Sequence, residues 1–168
     1  MKLIAILFII TFFLQGCTYA ISPETADKAD KSIAYDSVQA DPESFKDKLV
    51  IFGGTIAQLD TVDRGTLIII TQKPLDYWGK PERTGRTGGR FLAFYPGHLN
   101  ELAYAPGVDI TIAGEVLGAG NPLLGGRVYD DPVILVKEHK LWEREPRSQD
   151  KPKWMDPLYD PNTSRGRE

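Results

Sequence analysis

The chain has 168 residues, with 20 basic against 23 acidic side chains and a formal net charge of −3. A weakly acidic balance provides no global attraction to nucleic acid, so a nucleic-acid partner is not expected. With 42% hydrophobic residues the chain can bury a core, and its length suits one domain with terminal extensions. The first residues carry one positive charge, Lys2, and then an apolar run over residues 3–14 in which only Thr11 is polar. A bilayer-spanning helix needs about 20 apolar residues, so this run is short for a permanent span and right for the apolar part of an export signal.

Leu14-Gln15-Gly16-Cys17 closes that run. These four residues resemble a bacterial lipobox, in which cleavage falls between Gly16 and Cys17. Cys17 is the only cysteine, so in an oxidising compartment it is free, intermolecular or modified. One reading makes it an incidental thiol in a signal cut elsewhere, for example after Ala20. The other makes it the mature N-terminus. The resemblance then implies a diacylglyceryl group on sulfur and an acyl chain, such as palmitate, on the amine. No cofactor is expected beyond that covalent lipid. Because Thr18 is not aspartate, the resemblance also implies the outer membrane, periplasmic side by default. Acyl chains contribute about 0.8 kcal/mol per buried CH₂, and two signals give stable attachment without a spanning helix.

Residues 18–40 are mostly small or charged and read as a tether, the alternative being a first strand or short helix packed on the domain. Asp41-Pro42-Glu43 has the pattern of a helix start, with Asp as N-cap and Pro at the first position. The first strand spans residues 49–58 and is interrupted by Gly53-Gly54, which predicts a bulge or sharp bend. Residues 59–65 read as a polar turn. The second strand covers residues 66–71, where Leu67-Ile68-Ile69-Ile70 predicts burial on both faces.

Residues 72–89 then form a long loop with two prolines and four glycines. Residues 90–95 make the third strand, and residues 98–104 a short helix closed by Pro106-Gly107. The fourth strand alternates Val108, Ile110 and Ile112 with Asp109, Thr111 and Ala113. Residues 118–122 are a turn cluster, and the fifth strand covers about residues 127–137, with Pro132 at an edge, a bulge or a strand start. Strand, strand, strand, short helix, strand, strand is the order of an OB-fold.

The expected fold is therefore mainly all-β: a small five-stranded OB-like β-barrel with one short helix. It is flanked by an N-terminal signal and tether and by a disordered C-terminal tail. A small open sandwich is the alternative. The expected divisions are 1–16 signal, 17–40 lipidated N-terminus and tether, 41–142 barrel domain and 143–168 charged, proline-rich tail. Trp154 and Tyr159 stand out in that tail, either as residual packing or as a docking motif.

Taken together, Phe52-Gly53-Gly54-Thr55-Ile56, Pro74-Leu75, Gly89-Arg90-Phe91, Tyr104-Ala105-Pro106-Gly107, Thr111-Ile112-Ala113-Gly114, Pro132-Val133-Ile134 and Leu141-Trp142 carry a resemblance in their order and spacing. Over residues 41–142, and at the lipobox, the chain resembles the outer-membrane lipoprotein Slp family, the starvation-inducible lipoproteins of Gram-negative bacteria. The resemblance implies an envelope role linked to stress or stationary phase and supplies no catalytic residues.

Chemistry is sparse. His98 and His139 are the only histidines, are far apart in sequence, and have no cysteine to complete a zinc set once Cys17 is lipidated. No serine sits in G-x-S-x-G, and the glycines at 114, 118 and 120 lack the spacing of a phosphate loop. The loop at 72–89 is the best candidate surface. Tyr77 and Trp78 supply ring faces, and Arg83, Arg86 and the following Arg90 supply cations.

The reading is a non-enzymatic lipoprotein, held to a membrane by lipid, that contacts an envelope protein or glycan. A small-ligand or glycan-binding module and a hydrolase with an unrecognised site are the alternatives.

Overall fold

The computed structural model describes residues 19–83, 85–119 and 130–143. Two short helices, α1 (Pro23–Lys28) and α2 (Tyr35–Ala40), and a 3-10 turn (Pro42–Phe45) precede five strands. The strands are β1 (Leu49–Val62), β2 (Gly65–Lys73), β3 (Arg90–Tyr95), β4 (Asp109–Ala119) and β5 (Pro132–Trp142). They close into a barrel in the order β1-β2-β3-β5-β4. All neighbours are antiparallel except β3 and β5, which run parallel from Leu92 opposite Val133 to Phe94 opposite Leu135. The expected five-stranded barrel is therefore present, closed rather than an open sandwich.

The long β1 makes closure possible. It pairs with β4 over residues 49–55 and with β2 over residues 53–62, so Gly53, Gly54 and Thr55 are bonded on both edges. A Cβ on Gly54 would collide with the Thr71 carbonyl oxygen, and one on Gly53 would lie 2.5 Å from Leu75 Cδ2. The glycine pair thus serves close approach, of backbone on one side and of a loop on the other. Of the bulge or sharp bend expected there, the bulge is absent, because pairing is continuous through the pair, which lies where β1 passes from β4 to β2; the register shift falls between Ile56 and Gln58. The polar turn expected at 59–65 is likewise shorter: both strands continue until only Asp63 and Arg64 remain between them.

Inside the barrel, Ile56, Ile68, Ile70, Phe91, Ile110, Ile112 and Ile134 are fully buried. On the opposite face, Leu67, Leu92, Phe94 and Val133 form a second buried cluster. This two-sided burial accounts for the continuous apolar run in β2.

The reading of residues 18–40 as a tether is corrected for the described part. Val38 and Tyr35 lie in the interior cluster, and Tyr35 meets Phe52 edge to face at 5.4 Å. The Tyr35 hydroxyl donates to the Arg90 carbonyl oxygen at 2.7 Å and also meets the Gln39 side chain. No side chain caps the start of α2, so six residues stay helical because Tyr35 and Val38, three apart, are packed into the barrel end. The packed unit therefore begins well before residue 41.

The expected helix at 98–104 is also corrected. This connection is a series of turns. Asn100 Oδ1 accepts from the Leu102 N–H at 2.9 Å, a local bond that competes with helix, and Pro106 follows at once. Leu99 and Tyr104 nonetheless pack on the interior cluster at the barrel end opposite α2. The helix start read at Asp41 is present as a single 3-10 turn, with Asp41 accepting from the Ser44 N–H at 3.3 Å. Pro132 opens β5 opposite Ala119, while residues 127–129, expected in that strand, lie outside the described residues.

Val38→Ala should cost about 2 kcal/mol, two methyl groups plus the cavity they leave, read as a lowered midpoint in urea. Gly54→Ala should be the more severe change, because the atom it meets is backbone and cannot rotate away.

Candidate functional site

The loop at 72–89 is built rather than loose. Leu75 bridges Pro81, the Asp76 N–H donates to the Lys80 carbonyl at 2.8 Å, and the Glu82 N–H donates to the Pro74 carbonyl at 2.8 Å. Asp76 Oδ1 accepts from the N–H groups of Trp78 and Lys80 at 2.9 and 2.8 Å. Gly79, at φ +80, supplies the left-handed residue that turns the chain back. The result is a small hairpin with Tyr77 and Trp78 at its tip.

The tip is fastened to the barrel from below. Thr111 is fully buried, and its hydroxyl donates to the Gly79 carbonyl oxygen at 2.5 Å and accepts from Trp142 Nε1 at 2.9 Å. The Lys80 and Lys140 ammonium groups lie 5.8 and 5.3 Å from the Trp142 ring centroid. One indole thus supports the hairpin through a hydroxyl and holds two cations over its ring.

Sequence reasoning missed the third aromatic. Tyr19 stacks at a tilt on Trp78, with centroids 6.0 Å apart, and Trp78 meets Tyr77 edge to face at 5.2 Å. Tyr77 is 80% exposed, Trp78 50% and Tyr19 47%. The segment beside them is firmly attached. The Ala20 N–H donates to the Trp78 carbonyl at 3.3 Å, and Ala20 and Ile21 pack with Ala113, Ile51 and Trp142. The Ser22 N–H and hydroxyl bind the two oxygens of Glu138 at 2.7 and 2.8 Å. Burial pushes the Glu138 carboxyl up, but hydrogen bonds from Ser22 and Thr25 outweigh it and hold the group below its ordinary value. The only signal for Tyr19 was an aromatic residue two places after the lipobox cysteine. A groove of about 400 Å³ runs beside this cluster, walled by Ile21, Ala29, Ile33, Ile51, Leu75 and Trp78.

Arg83 and Arg86 are exposed on the return limb of the loop. Arg90 does not join them: its guanidinium pairs with Asp131 Oδ2 at 3.1 Å, across from β5, and its carbonyl receives Tyr35. Gly16, Cys17, Trp154 and Tyr159 lie outside the described residues.

A second polar cluster closes the barrel end under the 96–108 connection. Tyr104 Oη and His139 Nε2 are 2.6 Å apart, and Tyr95 meets the imidazole edge to face at 5.7 Å. Burial lowers the His139 pKa from its ordinary value, against the opposing charge of Glu138, and burial raises that of Tyr104. A neutral imidazole accepting from the tyrosine hydroxyl fits both directions. His98 is exposed on the same connection. Among the described residues no three His, Cys, Asp or Glu side chains gather as a metal site. No described helix is long and apolar enough to cross a membrane.

The family model of the outer membrane lipoprotein Slp family matches residues 14–165, so it takes in Leu14-Gln15-Gly16-Cys17, the barrel and most of the residues after it. The chain belongs to the Slp family. The resemblance carried by the short motifs between residues 41 and 142 therefore extends over nearly the whole chain, and the protein is an envelope lipoprotein of the outer membrane group. None of the curated proteins compared with it matches. In this Slp family member, Thr111 and Trp142 come from two of the motifs that carried the resemblance, and both support the hairpin.

Thr111→Val should cost about 2 kcal/mol, since the Gly79 carbonyl and the Trp142 indole N–H each lose a partner; chemical denaturation reads it. For His139, a pKa lowered in the folded state means that the unfolded chain binds the proton first. Its contribution to stability is whole above pH ~6.5 and is lost as pH falls below that value towards the folded pKa. The melting temperature should drop across that window, and His139→Gln should flatten the drop.

Proposed function

We propose that the protein is a non-enzymatic lipoprotein, held to the outer membrane by lipid on Cys17 with its barrel on the periplasmic side. There it acts through contacts with other envelope components under stress or in stationary phase. The observation that carries the reading is the family match, which begins at Leu14 and so takes in the lipobox together with the barrel. The lipid supplies attachment through buried acyl chains, and the barrel supplies a rigid platform. The contact surface is the return limb of the loop, which bears Arg83 and Arg86. Guanidinium groups there suit carboxylates or phosphates on a partner.

Labelled palmitate should enter the wild-type chain and not Cys17→Ala, and only the wild type should fractionate with the outer membrane. Incorporation into Cys17→Ala at the wild-type level would overturn the anchor. Reversing charge with Arg83→Glu and Arg86→Glu together should reduce crosslinking to envelope partners in intact cells, while the melting temperature stays unchanged because both residues are exposed. Undiminished crosslinking would remove the loop from the contact surface.

A further inference from the structure

We propose that Tyr19, Tyr77 and Trp78 form a seat that rests in the headgroup layer of the phospholipid bilayer, fixing the barrel in one orientation against it. This rests on the anchored reading above. The case begins with chain length. Residues 20–22 are bound to the barrel by the Trp78 carbonyl, by the buried Ile21 and by Glu138, so Tyr19, the first described residue, is held at the barrel surface beside Trp78. Cys17 is two residues earlier, and two residues of extended chain reach at most about 7 Å. The headgroup layer of one leaflet is roughly 5–8 Å thick. A cysteine whose acyl chains lie in the hydrocarbon therefore holds Tyr19 at the level of the headgroups.

The chemistry at that point suits the location. Tyrosine and tryptophan concentrate at membrane–water interfaces because each has an apolar ring and a polar edge. Here three of them are contiguous, are each close to half exposed or more, and belong to two segments far apart in sequence. Asp76, the nearest acid in the hairpin, has its carboxylate engaged by two backbone N–H groups, and Lys80 stands over Trp142. The Asp76 cap and the Thr111 hydroxyl hold the rings in place before any membrane is met, which lowers the ordering cost of contact.

The test uses the full lipidated chain in vesicles of phosphatidylethanolamine and phosphatidylglycerol. Lipid occupies the sulfur of Cys17, the only native cysteine, so a cysteine introduced by Tyr77→Cys can be labelled alone with an environment-sensitive fluorophore. Asp63→Cys, in the exposed β1–β2 turn, is the reference position. The label at 77 should shift to the blue and be quenched by phospholipids brominated on their acyl chains, at low and high salt alike, while the label at 63 reads as in water. Adding Tyr19→Ala and Trp78→Ala should return the label at 77 toward the aqueous spectrum while the protein still sediments with vesicles. Identical spectra at 77 and 63 in sedimenting protein would overturn the seat and leave the anchor standing. Failure of the lipidated chain to sediment would overturn the anchor and the seat with it.

Discussion

The attachment of residues 20–40 to the barrel governs what this protein presents to its surroundings. Ser22 binds both oxygens of Glu138, Ile21 is buried against β4 and β5 residues, and Val38 and Tyr35 enter the interior. A composition of small and charged residues would ordinarily leave such a stretch free to wander. Three fastenings spread along it remove that freedom, and the entropy lost is offset by apolar burial at two of them. The proposed lipid then acts on a rigid body instead of on the end of a string.

Much of the barrel was legible because strand signals are local. Alternation in β4, the two-faced run in β2 and the glycine pair in β1 each report on a residue's own environment. The expected features that failed had non-local causes. Helix α2 has no side-chain cap and only six residues, and its stability comes from Phe52 and Phe91, which no pattern within the helix could reveal. The connection at 98–104 has helical composition, but Asn100 closes its own turn. Among the site residues, Tyr77 and Trp78 could be found as a loop tip. The pairing of Arg90 with Asp131, 41 residues away, is one that no local pattern could show. Tyr19 was overlooked because its importance comes from a ring contact with a residue far along the chain.

Thr111 shows how the fold and the site share parts. Its position on β4 is set by barrel register, opposite Gly53 on one side and Lys140 on the other. The same residue fastens the hairpin and orients Trp142. A motif within the family resemblance thus transfers the rigidity of the sheet to an exposed pair of rings. Glycine at 53 complements it, leaving space into which Leu75 and Pro81 fit, so that the hairpin lies flat on the sheet.

The barrel is stoppered twice. Tyr35 and Val38 close one mouth, Leu99 and Tyr104 the other, and isoleucines and phenylalanines fill the space between. Among the described residues the lumen of this vessel is filled by its own side chains. That sets it apart from wider barrels that hold a ligand inside an open mouth. Recognition by the barrel itself is left to its skin.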